Sequence, residues 1–259
     1  MRQQNMKGLA AVILAGGLQT RFKSPDLLKA MAPVGIAGRP HLEILVENLL
    51  KSGIRDIVIV AGYMSEVIRE NFEPWAKRGV HILLDPADRP DTGGALRNAI
   101  EFLIRMTERP AWDVLYWNPD TIARVDLADL YRRHKEEMAS GTIVLTNDPT
   151  APNSGAVEVS RTGWITAFRE GQGSAFNPGL AHAGIGIIKI KALIEVLYGD
   201  KFASRKSFCM FKEVLPQIVE MGASSYLTAG PFVEFGVAER YEQLLRQPWL
   251  VDEAYQLAA

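Results

Sequence analysis

An α/β fold is predicted for this chain: a mostly parallel twisted sheet flanked by helices, with a small antiparallel insert or substrate-binding subdomain. Through the first 150 residues, short apolar runs alternate with stretches of helical periodicity. That βαβαβ order implies parallel strands joined by right-handed crossovers, with ligands at the carboxyl ends of the strands. From Gly155 to Lys189 the helical period disappears, and β-type pieces are separated by Gly, Asn and Pro. At 259 residues the chain is long enough for one large α/β domain or for two small ones, and one domain with an appendage is expected.

The first apolar run, Leu9 to Leu14, reads as a strand and ends in Leu14-Ala15-Gly16-Gly17-Leu18-Gln19-Thr20-Arg21, followed by Pro25-Asp26-Leu27-Leu28-Lys29. His41 to Ser52 carries Leu42, Ile44, Leu45, Leu49 and Leu50 at helical spacing, and Gly53 stops it. Ile57 to Ala61 is a buried-type strand ending at Gly62. Ser65 is expected to cap a second helix through Val67, Ile68 and Phe72, and His81 to Leu84 forms a third strand. Thr92-Gly93-Gly94 opens a helix from Ala95 to Met106 with Leu96, Ala99, Ile100 and Leu103 on one face. A fourth strand, Val114 to Trp117, ends at Asn118-Pro119-Asp120-Thr121. Leu127 to Met138 is a helix whose charges form a solvated face, and Thr142 to Thr146 returns to the sheet. Ala156 to Val159, Trp164 to Phe168 and Gly184 to Ile188 are the antiparallel pieces. Helices at about Ile190 to Leu197, Phe208 to Met221 and Ala238 to Leu245, with a short strand near Phe232 to Glu234, complete the chain. No repeat or long linker divides it, so residues 1–259 are expected to form a single domain.

Composition narrows the function. A formal net charge of -1 leaves no electrostatic footprint for nucleic acid or an anionic membrane, so the expected partner is a small molecule. Cys209 is the only cysteine and the four histidines are scattered, which leaves no intramolecular disulfide and no soft metal cluster; any metal would be oxygen-ligated. No apolar run approaches the roughly 20 residues of a spanning helix, and the polar N-terminal segment leads directly into a strand. A cytoplasmic protein is expected. Its oligomeric state is left open, a homo-oligomer included.

Gly16 and Gly17 lack a Cβ and can bring backbone N–H groups close to phosphate oxygens. Arg21 adds a planar fork of donors and Lys29 a point charge; an ordinary strand-to-loop turn with two surface cations is the alternative. The pattern is neither G-x-G-x-x-G nor the Walker loop. Asp120, just past a parallel strand on the same rim, can hold Mg²⁺ or form a turn. Glu234, before Gly236, is a second metal carboxylate or a surface strand residue. Glu170 could accept from sugar hydroxyls or simply be solvated. Gly93 and Gly94 would either admit a base or phosphate at a helix N-terminus or serve helix–strand packing. No G-x-S-x-G elbow exists, and His41, His81, His134 and His182 sit in unrelated contexts that fit structural roles better than nucleophile schemes.

These motifs, taken in order with Ala32-Pro33-Val34, Gly38-Arg39-Pro40, Thr92-Gly93-Gly94-Ala95-Leu96, Phe168-Arg169-Glu170 and Glu239-Arg240-Tyr241, resemble the sugar-1-phosphate nucleotidyltransferases over nearly the whole chain. Pro25 to Val34 is most similar to the D-glycero-D-manno-heptose 1-phosphate guanylyltransferase branch. The resemblance implies a Rossmann-like sheet, Mg²⁺, and transfer of a nucleoside monophosphate from an NTP, GTP favoured, to a sugar 1-phosphate with release of pyrophosphate. Residues 1–150 would mainly bind nucleotide, and residues 151–259 would mainly bind sugar and supply the C-terminal helices. Carried over by position, Leu14, Ala15, Gly16, Gly17, Gly93 and Gly94 meet the nucleotide. Arg21 meets the β- and γ-phosphates, Lys29 the reacting phosphates, Asp120 and Glu234 the metal, and Gly155, Glu170 and His182 the sugar. Gln19, Leu28, Ala30, the extra Gly35-Ile36, Pro119, Glu234 and Gly171 depart from the family pattern. Two other expectations follow from these departures: the same reaction with UTP, CTP or dTTP and a hexose 1-phosphate, or a nucleotide-sugar-binding regulatory protein without turnover.

Overall fold

The structure is a computed structural model that describes residues 6–17, 22, 27–85, 91–106, 111–148, 156–169, 179–228 and 230–257. In chain order, β1 (Leu9–Ala15) is followed by a 3₁₀ turn at Lys29–Met31, a two-stranded ribbon of β2 (Pro33–Val34) and β3 (Arg39–Pro40), and α1 (His41–Lys51). Next come β4 (Ile57–Ala61), α2 (Ser65–Phe72), β5 (Val80–Leu84), α3 (Thr92–Met106), β6 (Asp113–Trp117), β7 (Thr121–Ala123), α4 (Leu127–Glu137) and β8 (Gly141–Thr146). The remainder is β9 (Ala156–Val159), β10 (Ile165–Arg169), β11 (Ala181–Lys189), α5 (Ile190–Leu197), α6 (Leu215–Glu220), β12 (Ala223–Leu227), β13 (Phe232–Glu234), α7 (Ala238–Leu245) and α8 (Trp249–Tyr255).

β1 is central. It pairs in parallel with β4 on one side and β6 on the other, and β5 extends the sheet beyond β4. Alternate residues of these strands feed opposite cores, as the two-residue period of a strand requires. Ala11, Ile13, Ile57 and Ile59 face one cluster with Leu42, Leu45 and Leu49 of α1; Ala10, Val12, Val58 and Val60 face the other with Leu96, Ala99 and Ile100 of α3. Both faces of the sheet are therefore covered by helices.

The antiparallel part belongs to this same sheet. β11 runs antiparallel beside β6, with Ile185 opposite Trp117, and carries β8 and β9 on its far side; β12 then pairs in parallel with β8. From His182 to Ile188 β11 is buried on both faces, which makes it an interior strand. β7 and β13 form a separate antiparallel pair.

Ser65 is not a cap. It is the first residue of α2, behind Met64 in a left-handed conformation (φ 54°), and makes no capping bond there. The helix expected from Phe208 to Met221 is divided: Met210–Val214 forms a wider π turn before α6, where Pro216 stands at the helix start. Proline lacks an N–H and crowds the carbonyl four residues back, so a regular helix cannot run through it. No helix among the described residues is long and apolar enough to cross a membrane.

Candidate active site

Three strand ends meet at the glycine loop. Leu14 and Ala15 are the last residues of β1, in register with Val60 and Ala61 of β4. A Cβ on Gly62 would stand 2.5 Å from the carbonyl oxygen of Gly16, and one on Gly16 would stand 2.5 Å from Oδ2 of Asp85, just past β5. At Gly62 the clash is with backbone, so glycine is required there, whereas a side chain on Gly16 would instead displace the Asp85 carboxylate. The Tyr63 N–H donates to the Gly16 carbonyl at 3.3 Å, which fixes the loop against β4. Gly17 is exposed, and no described residue lies within 4 Å of where a Cβ would stand.

Asp85 lies over this loop. Its Oδ1 is buried and has no hydrogen-bond partner among the described residues. Burial first, and then the neighbouring charge of Asp91, raise its carboxyl above the usual range.

Across β1, the turn between β6 and β7 delivers Asp120. Thr121 N–H donates to Asn118 O at 3.1 Å, Asn118 N–H to Gly184 O at 2.9 Å and Phe235 N–H to Asp120 O at 3.0 Å. The Asp120 side chain, only 10% exposed, accepts from Lys29 Nζ at 2.6 Å. Lys29 is aimed by the 3₁₀ turn it opens, whose Ala30 and Met31 are buried.

Glu234 reaches the same place from β13, where it stands opposite Thr121. Its Oε1 accepts from the Gly236 N–H at 3.2 Å, and its Oε2 is paired with Arg240 of α7. A Cβ on Gly236 would sit 2.7 Å from Asp120 Oδ2 and still closer to Glu234 Oε1. Both carboxylates therefore flank one glycine, beside the Lys29 ammonium.

Gly93 is buried in the first turn of α3, its N–H donates to Phe208 O at 2.9 Å, and its Cα packs on the Phe208 ring. That amide is engaged in packing. Gly94 is buried beside it. His182 is also buried; Nε2 meets the Tyr116 hydroxyl at 3.0 Å, and Tyr116, Phe168 and Phe211 surround the ring. Burial lowers its pKa to about 3, so it is neutral. Arg21, Gln19, Gly155, Glu170 and Gly171 lie outside the described residues.

Asp85, Arg240 and His41 were given no site role by sequence reasoning. Asp85 carries the signal that exposed Asp120, an acidic residue just past a strand on the ligand rim. Arg240 lies in the motif Glu239-Arg240-Tyr241, but its partner is visible only in three dimensions.

Residues 10–230 match the family described as nucleotidyl transferase. The chain is 28% identical over 241 residues to the D-glycero-alpha-D-manno-heptose 1-phosphate guanylyltransferase of Campylobacter jejuni, covering 92% of this chain and 99% of that protein. It is 28% identical over 246 residues to the protein of the same name from Aneurinibacillus thermoaerophilus, covering 92% and 98%. The crystal structure of HddC from Yersinia pseudotuberculosis superposes with a TM-score of 0.68 at 23% identity, over 92% of this chain and 98% of that one. At that identity the superposition establishes the fold.

Proposed function

The chain belongs to the nucleotidyl transferase family, and on that premise we propose that it is a guanylyltransferase joining GTP to a sugar 1-phosphate, heptose 1-phosphate or a related sugar or cyclitol phosphate. Two relatives of that name, alike over nearly their full lengths, support the reading. The observation that carries it is the convergence of Lys29, Asp120 and Glu234 around Gly236, on the rim that also holds the glycine loop.

In the proposed reaction, an oxygen of the sugar 1-phosphate forms a bond to the α-phosphorus while the bond to the bridging oxygen of the β-phosphate breaks. Pyrophosphate leaves with the electron pair. No protein nucleophile takes part, so the chain contributes positioning and charge neutralisation. Two carboxylates converging at one point, both hard oxygen donors, fit Mg²⁺, and Asp120 and Glu234 would hold it. When bound, Mg²⁺ supplies charge neutralisation and polarisation at the phosphates. Lys29, which already contacts Asp120, would set its ammonium against the substrate phosphates beside the metal. Arg240 keeps Glu234 oriented, and the Gly16-Gly17 backbone with Arg21 is assigned to the triphosphate. Gly155 and Glu170 are assigned to the sugar, with buried His182 supporting that side through its aromatic neighbours.

Asp85 supports guanine as the base. A carboxylate only accepts hydrogen bonds, and guanine alone offers two adjacent donors, N1–H and N2–H, on its pairing edge. Uracil and thymine set one donor between two acceptors, and cytosine and adenine put an acceptor beside theirs. The partnerless Oδ1 and adjacent Oδ2 over the nucleotide loop match the guanine pattern. Because GTP is a cytoplasmic metabolite, the cytoplasm is the proposed location.

Pyrophosphate release measured for GTP, UTP, CTP and dTTP against a panel of sugar 1-phosphates tests the proposal. Turnover should be highest with GTP and a heptose 1-phosphate. Silence with every pair, despite measurable nucleotide binding, would instead make the chain a nucleotide-sugar-binding regulator.

A further inference from the structure

His41 is the first residue of α1 and is completely buried. Its main-chain N–H donates to Ala32 O at 3.0 Å, which ties it to the segment carrying Lys29. Its ring has two partners. Nδ1 lies 2.8 Å from the carbonyl oxygen of Pro119, and Nε2 lies 2.8 Å from the hydroxyl of Tyr255 in α8. Phe235 packs edge-on against the ring at 5.1 Å, and Tyr255 lies at 5.9 Å.

The chemistry of these partners fixes the tautomer. A carbonyl oxygen can only accept, so Nδ1 carries the hydrogen. A fully buried imidazole whose two ring contacts are a carbonyl and a hydroxyl, neither of them charged, is held neutral. Nε2 is then a lone pair and accepts from the Tyr255 O–H. The chain of donors runs in one direction, from Tyr255 O–H to His41 Nε2 and from His41 Nδ1–H to Pro119 O.

Pro119 directly precedes Asp120. Fixing the Pro119 carbonyl fixes the plane of the 119–120 peptide, and with it the direction in which Cα of Asp120 sends its carboxylate. The neighbouring carbonyls are also held, Asn118 O by Thr121 N–H, Asp120 O by Phe235 N–H and Thr121 O by Trp117 Nε1–H at 2.9 Å. Among them, only the Pro119 contact is made by a side chain whose own hydrogen position depends on a further group.

We propose that His41 is the positioning residue for Asp120, and that Tyr255, by donating to Nε2, holds the imidazole in the tautomer and orientation on which this positioning depends. Helix α8 is thereby tied to the chemical site through Tyr255 and His41. This inference rests on the reading of Asp120 as a metal-holding carboxylate.

Three variants separate positioning from packing. His41→Leu removes the donor to Pro119, His41→Asn restores an N–H near the Nδ1 position, and Tyr255→Phe removes only the hydroxyl. Turnover with GTP is measured beside Mn²⁺ binding to the substrate-free protein, read from the electron paramagnetic resonance of free Mn²⁺, and beside Tm. His41→Leu should lower kcat and weaken Mn²⁺ binding by about tenfold or more, the scale seen when the partner that orients a metal ligand is lost, with KM for GTP unchanged. His41→Asn should regain most of both losses, and Tyr255→Phe should fall between wild type and His41→Leu. Equal losses in His41→Leu and His41→Asn, or unchanged kcat and Mn²⁺ affinity in a folded His41→Leu protein, overturn the proposal. If His41→Leu does not fold, Tyr255→Phe decides, since it keeps the ring packing; unchanged Mn²⁺ affinity there overturns it. Asp120→Ala identifies which reading has failed. Intact Mn²⁺ binding and turnover in that variant remove the metal-carboxylate reading and this inference with it, whereas loss of both, with His41→Leu normal, removes this inference alone.

Discussion

Lys29 and Asp120 lie 91 residues apart in the chain and 2.6 Å apart in space. Each charge is held by the other, and in the proposed reaction each would exchange that partner for substrate or metal. We predict that Lys29→Ala and Asp120→Ala each lower kcat by at least ~10²-fold, the scale of removing one transition-state charge contact; near-normal turnover in either removes that residue from the site. Glu234→Gln keeps the size but loses the charge, so it should raise the Mg²⁺ concentration needed for half-maximal rate, and an unchanged Mg²⁺ titration would exclude the second carboxylate. Asp85→Asn replaces a pure acceptor by an acceptor and a donor. It should cut discrimination of GTP over UTP by about 1–3 kcal/mol, the worth of one two-point base contact, as read from the ratio of kcat/KM values. The wild-type protein offers an independent check through pH. Burial and Asp91 raise the Asp85 pKa, and a protonated carboxyl loses acceptor capacity, so GTP affinity should be full above that pKa and decline as pH falls through it. Calorimetric titration across acid pH should show the decline in wild type and not in Asp85→Asn.

The elements with uniform periodicity are those the sequence displays best. β4 is buried throughout and matches its apolar run end to end, and α3 carries its apolar residues on one face. The glycines that open α3 illustrate a role that sequence leaves open, because Gly93 could admit a ligand or a neighbour equally well. In the structure it admits Phe208, against which an added Cβ would collide with both ring and backbone. Gly93→Ala should therefore cost about 1–3 kcal/mol of stability by overpacking, measured by urea denaturation, and a neutral result would show that the Phe208 segment yields easily. β12 is inconspicuous because Ala-Ser-Ser-Tyr-Leu is neither strongly apolar nor strictly alternating, and its pairing with β8 decides its conformation. α8 is only seven residues long, too short for a periodic signal, and is held by buried Val251, Ala254 and Tyr255.

For the whole molecule, stability should depend on pH through its buried histidines. Burial lowers the pKa of His41 to about 4 and that of His182 to about 3, against roughly 6.5 in an unfolded chain. Between those values the unfolded chain binds protons that the folded one refuses, so stability is full above about pH 6.5 and falls as the solution is acidified. Asp113 adds a later loss. Burial opposes its ionisation, but hydrogen bonds and charge from His134 and Lys135 outweigh that and hold its pKa below the usual range. Its contribution is present above the unfolded carboxylate pKa and disappears as pH falls through the lower folded value. Urea denaturation should accordingly give a lower midpoint at pH 5 than at pH 7, and equal midpoints would mean that the two imidazoles protonate freely in the folded chain. The sequence by itself determined the α/β class, the order of the principal strands, the glycine loop and Asp120 at a strand end, because local periodicity records which residues of one element are buried. Only the tertiary structure decided that β11 enters the main sheet, that Asp85 covers Gly16, that Asp120 and Glu234 meet across Gly236 and that Tyr255 reaches the Pro119 carbonyl through His41. Those contacts join residues tens to hundreds of positions apart, and their partners are selected by the path of the whole chain, which no local pattern records.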